Sequence, residues 1–227
     1  MSEDAAPAEA APAPSRTAFW IRRLHSLSGL VPVGAFMCVH LFENASAAHG
    51  PEAFGETVKR INDMPFVLAL EVFGIWIPIL FHAILGFVII FEGKPNAVAY
   101  PYGRNWLYVA QRVTGILAFA FIVFHFVNFR AHKGEFEKAP YDFVAAALAN
   151  PAVLWFYVLG IASCVFHLAN GISGMLFSWG ITVGERSKRL AGLACAGFGA
   201  ALFVLSMRAL FAFNPGVLPG FLRFILA

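Results

Sequence analysis

The chain has 227 residues, of which 59% are hydrophobic and only 13% charged, with a formal net charge of +3; its mean hydropathy is +0.72. A soluble domain of this length cannot cover so much apolar surface with polar groups, so the bilayer is the expected solvent. The few basic residues sit at the ends of apolar runs, which argues against a nucleic-acid-binding surface and for a membrane orientation signal.

The first fifteen residues, MSEDAAPAEAAPAPS, are rich in Ala and Pro and mildly acidic. They lack the basic n-region of a signal peptide and read as a disordered tail, leaving residues 16–227 as one transmembrane domain. Five runs follow that are long enough to cross about 30 Å of hydrocarbon as helices. Span I is Phe19–Phe42, span II Phe66–Phe91, span III Trp106–Phe129, span IV Val153–Trp179 and span V Leu190–Phe213. Helix is forced, because in lipid only helices or closed barrels satisfy every backbone group. The expected fold is therefore an all-α bundle of five transmembrane helices. The loops between spans I and II and between III and IV are long enough for short helices lying at the surface.

The connections fall into two sets. One carries Arg16, Arg22, Arg23, Lys94, Arg104, Arg186, Lys188 and Arg189. The other carries Lys59, Arg60, Arg130, Lys133 and Lys138 among many acids. Counting only Lys and Arg places the first set in the cytoplasm, so the N-terminus is expected inside and the C-terminus outside. Cys38, Cys164 and Cys195 lie within apolar runs and read as packing residues, with no disulfide framework or CxxC site.

Spans I to IV each hold one deep histidine, His40, His82, His125 and His167, and span V holds none. At 1.5 Å rise per residue, the alternating chain direction sets His40 and His125 near the outer face. The same reckoning sets His82 and His167 in the inner half, roughly 15 Å away. Two neutral imidazoles on facing helices of an apolar bundle suit the axial positions of a haem iron. Two haems are expected, each between one pair. A zinc site would want further ligands at one depth. Gly86 and Gly171, each four residues after a histidine, and Gly34 would let a flat macrocycle approach the backbone. Arg22, Arg23, Arg112, Lys188 and Arg189, near the inner face, are candidate contacts for the propionates.

These residues resemble the diheme cytochrome b membrane subunit of the succinate dehydrogenase/fumarate reductase family, in its single-chain, five-helix form. The run RRLHSLSG, Arg22 to Gly29, is similar to that family's first-helix motif, and the likeness covers nearly the whole chain after the tail. The resemblance implies the same pairing, first ligand with third and second with fourth. It also implies a flavoprotein and an iron–sulfur subunit as partners, two haem b groups, a quinone (menaquinone in the two-haem branch), and a bacterial cytoplasmic membrane. Dicarboxylate chemistry would lie on the partner: the chain has no GxGxxG fingerprint and no cysteine ligands for a cluster. A higher oligomer of the complex is compatible with this reading.

Quinone chemistry needs a protonatable group connected to water near a haem. Glu43, three residues after His40, and Glu71, level with the outer haem, are the candidates, with Asn44 as an added contact. A rival inner site would use Ser28. His25 has three readings: a propionate contact, a lining of an inner quinone pocket, or a helix-packing residue. Trp179 and Tyr108 read as interfacial belt residues, and His49 and His132 as surface histidines. Near His167 the neighbours Ser163, Cys164, Val165 and Phe166 offer no carboxylate for a transmembrane proton path. The alternatives are a cytochrome b subunit of a hydrogenase or formate dehydrogenase, whose histidines are distributed differently, and a proton-relay transporter, which would want midplane acids.

Overall fold

The computed structural model describes residues 15–217; most of the Ala/Pro-rich tail lies outside them. Within this range five helices are long and apolar enough to cross a membrane: Arg16–His49, Val67–Glu92, Gly103–Ala131, Pro151–Ser178 and Glu185–Ala212. They are spans I to V, and no strand occurs among the described residues. Consecutive spans run antiparallel. The end where span I begins is called the near end here, and the opposite one the far end.

Local chemistry fixes the helix ends. Ser15 caps span I by accepting from the Ala18 N–H at 3.2 Å. Asn150 caps span IV through the Ala152 N–H at 2.9 Å, with Pro151 at the first helical position. Span IV closes on Gly180, at φ +73. There the Ile181 N–H reaches back to the Leu176 carbonyl at 2.9 Å and the Gly180 N–H to Phe177 at 3.0 Å, a Schellman stop that needs glycine in the left-handed region. Span I is not uniformly α-helical: residues Gly29–Gly34, around Pro32, form π turns. Span II does the same over Leu70–Trp76, ahead of Pro78. Proline removes an N–H from the ladder, and the wider turns absorb the break.

Span IV is the hub. It buries Leu154, Tyr157, Gly160, Ser163, Val165, Leu168 and Ala169. A Cβ at Gly160 would overlap the Phe121 ring of span III, and one at Gly199 would come within 2.9 Å of Ala169. Small residues thus let spans III and V approach closely where no hydrophobic force acts between helices. A Cβ at Gly74 or Gly174 would meet nothing within 4 Å. Spans I and II pair with each other and present Val31, Leu80, Ile84 and Val88 outward.

The surface helices expected from the long loops are present as Pro51–Asn62, Lys133–Lys138 and Pro140–Leu148. They roof the far end. Phe54 packs edge-on to Phe213 at 5.1 Å, and the Tyr141 hydroxyl donates to the Ala212 carbonyl at 2.7 Å. At the near end, Arg22 pairs with Glu92 across spans I and II. The Trp179 indole donates to Ser26 at 3.0 Å, with Arg23 over its ring. Trp179 is therefore a latch between spans I and IV, not a lone belt residue. Tyr108 likewise lies under the Arg112 guanidinium, 3.2 Å away.

Candidate functional site: two histidine pairs at two depths

The four span histidines meet in two pairs. His40 and His125 have ring centroids 5.8 Å apart with planes at 77°. His82 and His167 are 6.1 Å apart at 87°. With metal–nitrogen bonds of about 2.0–2.1 Å on either side, two imidazoles sharing one metal ion have centroids about 6 Å apart. Both pairs fit that spacing.

Each ring is held by its own contacts. His82 Nδ1 lies 2.9 Å from the His25 carbonyl, and His167 Nδ1 lies 3.0 Å from the Gln111 carbonyl. A carbonyl only accepts, so in both rings Nδ1 carries the proton and Nε2 keeps its lone pair for a ligand. His125 Nδ1 lies 3.2 Å from the Tyr157 hydroxyl. Asn44 donates to the His40 carbonyl at 2.7 Å and sits 3.4 Å from Nε2 of the same ring.

The two inner contacts are built alike. On span I the sequence HSLSG runs from His25 to Gly29; on span III, QRVTG runs from Gln111 to Gly115. In each, the first residue supplies the carbonyl and the glycine four residues on receives the ring. A Cβ at Gly29 would overlap the His82 ring, and one at Gly115 would lie 2.9 Å from His167 Cε1. The hydroxyl before each glycine turns back onto the helix: Ser28 donates to the His25 carbonyl at 2.9 Å, and Thr114 to Ala110 at 2.7 Å. The facing glycines repeat the pattern. Gly86 looks onto His25 Nε2 and Gly171 onto Gln111 Nε2. Gly86 and Gly171 thus adjoin the side chain that the neighbouring helix places against them. Gly34, the third, is packed against Leu168.

Residues that the sequence reading did not single out complete the shell. Gln111 donates to the His167 carbonyl at 3.0 Å, and Asn170 donates to the Gln111 side chain at 2.7 Å. With the His167–Gln111 bond, these clasp spans III and IV in both directions. The available signal was a repeat: His25 and Gln111, Gly29 and Gly115, His40 and His125, His82 and His167 each stand 85 or 86 residues apart.

The polar groups expected at the near end divide by their partners. Arg22 is engaged with Glu92. Arg23, His25 and Arg112 each keep one buried nitrogen without a partner (Nη1, Nε2 and Nε), and the Thr182 hydroxyl, just past span IV, is orphaned as well. Buried donors without partners are rare and call for a ligand. The His25 ring stacks on His82 at 4.2 Å. At the far end Glu43 is paired with Arg60 at 2.6 Å, while Glu71 lies in the π turns of span II and forms no ion pair or hydrogen bond among the described residues. Ser28 and Asn44 spend their donors on His25 and His40. His132 bonds the Asn128 carbonyl at 2.9 Å.

Five spans with facing histidine pairs at two levels define a polytopic membrane protein of the cytochrome b class. A family model described as the succinate dehydrogenase/fumarate reductase transmembrane subunit matches residues 95–206. The succinate dehydrogenase cytochrome b558 subunit of Bacillus subtilis (strain 168) is 42% identical over 195 residues, covering 86% of this chain and 96% of that protein. The chain belongs to the succinate dehydrogenase/fumarate reductase transmembrane subunit family.

Proposed function

We propose that the chain holds two haem b groups and links an iron–sulfur subunit, itself joined to a flavoprotein, to a membrane quinone, which the family likeness assigns to menaquinone. The observation that carries the reading is the pairing of His40 with His125 and of His82 with His167, at separations suited to one iron each. When bound, haem iron supplies a one-electron couple at each of two depths. The relative's name, cytochrome b558, supports this cofactor.

The protein's own residues do the positioning. The His25 and Gln111 carbonyls hold His82 and His167 as Nδ1–H tautomers, presenting Nε2. Arg23, Arg112 and His25 offer buried, unpartnered nitrogens for propionate oxygens; Arg22, tied to Glu92, steadies that end from outside. The excess of Lys and Arg at the near end supports a cytoplasmic near end in a bacterial cytoplasmic membrane. Succinate or fumarate chemistry then belongs to the partner flavoprotein.

For the quinone we favour the far end. Glu71 forms no ion pair or hydrogen bond among the described residues, which leaves its carboxyl available to exchange a proton with a quinone oxygen. Glu43 is tied to Arg60 and serves as the fixed charge beside it. One observation favours a near-end reading: a pocket of about 310 Å³ lined by Leu24, Leu27, Ser28, Val31, Pro32 and Phe81. Replacing Glu71 by Gln separates the two. Loss of quinone reduction with haem content intact supports the far end; loss only in a Ser28→Ala variant supports the near end.

The pairing is tested by single alanine replacements with haem counted per polypeptide in the purified complex. His40→Ala and His125→Ala should lose one and the same haem, and His82→Ala and His167→Ala the other. Loss of the same haem in His40→Ala and His82→Ala, or two haems in every variant, would overturn the assignment.

A further inference from the structure

The far end carries a group of charged and polar side chains that the histidine pairs do not use. A pocket of about 350 Å³ opens between the end of span I, the helix Pro51–Asn62 and span V, with Phe42, Glu43, His49, Thr57, Arg60 and Arg208 on its walls. Arg208 stands four residues before the end of span V, inside the membrane-spanning helix, and its residue is exposed. It forms no ion pair or hydrogen bond among the described residues. Glu43, the pocket's one acid, is taken by Arg60 at 2.6 Å. The pocket therefore carries one uncompensated positive charge.

An arginine facing lipid within a span is costly unless a counter-charge reaches it. Thr57 adds a second unsatisfied donor. The residue is 8% exposed; its hydroxyl, which is not among the fully buried polar atoms, makes no hydrogen bond among the described residues. The rim is apolar and faces the bilayer: Phe42 is 70% exposed. A ligand that meets all these features is anionic at one end and hydrocarbon at the other. It lies at the depth of a span end, where headgroups lie. A divalent cation would face net positive charge, and a neutral quinone would leave Arg208 uncompensated.

We propose that this pocket binds the phosphate of an anionic phospholipid, with Arg208 as the principal contact, Thr57 as a second donor, and the acyl chains lying along Phe42 and Leu205. Arg60, already joined to Glu43, contributes its remaining guanidinium donors. The pocket shares Glu43 with the far-end quinone reading, but its principal contact, Arg208, plays no part in that reading.

The test uses the whole purified complex in mild detergent, exchanged into phosphatidylcholine nanodiscs with and without phosphatidylglycerol. Lipid retained by the complex is read by native mass spectrometry. The wild type should retain phosphatidylglycerol over phosphatidylcholine. Arg208→Gln should weaken that retention about five-fold, the factor equivalent to the ~1 kcal/mol that one basic residue contributes at an anionic membrane surface. Arg208→Lys should keep most of it, and the haem absorption spectrum should be unchanged in both, showing that the bundle is intact. Equal retention of both lipids by the wild type, or equal phosphatidylglycerol retention by wild type and Arg208→Gln, would overturn the proposal. Displacement of the lipid by millimolar inorganic phosphate would assign the site to a free anion, and displacement by a quinone analogue would assign it to quinone; either result overturns it too.

Discussion

Gly115 is the position where a single methyl group tests the site most sharply. An added Cβ would stand 2.9 Å from His167 Cε1 and 3.3 Å from Nδ1, against ordinary contacts of 3.4–4 Å. The ring must retreat by about half an ångström or more. His167 Nδ1 is 3.0 Å from the Gln111 carbonyl, so that retreat carries it past the ~3.2 Å limit of a good N–H···O bond. The ring then loses the contact that fixes its tautomer, a loss of the kind that costs 10–100-fold in metal affinity (an order-of-magnitude figure). Fold stability moves the other way, because Gly→Ala within a helix gains up to about 1 kcal/mol. Gly115→Ala should therefore leave a folded, membrane-inserted protein whose His82/His167 haem is depleted while the His40/His125 haem remains. With the two haems proposed above, haem per polypeptide should fall from two toward one, with one step missing from the redox titration. Gly29→Ala should be more severe, since its Cβ would overlap the His82 ring itself. Gly174→Ala, where a Cβ meets nothing within 4 Å, is the control and should be silent. Two haems with unaltered midpoint potentials in Gly115→Ala would refute the cradle argument.

Other outcomes follow from the same geometry. The imidazole planes stand at 77° and 87° in the two pairs, so both oxidised haems should give strongly anisotropic low-spin EPR signals; signals typical of parallel imidazoles would contradict the ring orientations. Tyr157→Phe removes the only partner that His125 Nδ1 has among the described residues. A less electron-rich imidazole stabilises the ferric form less, so the far-end haem potential should rise with haem content kept; an unshifted titration would count against Tyr157 as a positioning residue. Trp179→Phe deletes the indole bond to Ser26 and should lower the melting temperature of the complex by the equivalent of about 0.5–1.5 kcal/mol, as followed by loss of haem absorbance. An unchanged melting temperature would show that the latch contributes nothing measurable.

The spans and the histidine pairing were legible because one long-range constraint, the bilayer, sets helix length and direction. Once direction alternates, 1.5 Å per residue converts position in sequence to depth, and His40 has no level partner but His125. What depth cannot reveal is azimuth. Arg22 and Arg23 are adjacent in sequence and equal in depth, yet one turns to Glu92 and the other to Trp179. The same limit applies to Gly86 and Gly171. Spacing of four residues sets them on the face of their own histidines, but whether that face meets a ligand or a neighbouring helix depends on rotation about the axis. The π turns at Gly29–Gly34 and Leu70–Trp76 add to the difficulty, because each changes that rotation partway along a span. The repeat of 85 or 86 residues supplies what depth lacks. HSLSG with His82 and QRVTG with His167 are two copies of one arrangement, so rotation found for one hairpin fixes the other. Seen that way, His25 is the counterpart of Gln111. The Gln111 side chain is spent on the His167 carbonyl and on Asn170, whereas His25 keeps Nε2 buried and unpartnered. The two halves share the device that holds a span-histidine ring and differ in the side chain above it. That difference makes His25 the position at which the near-end site departs from its own internal symmetry.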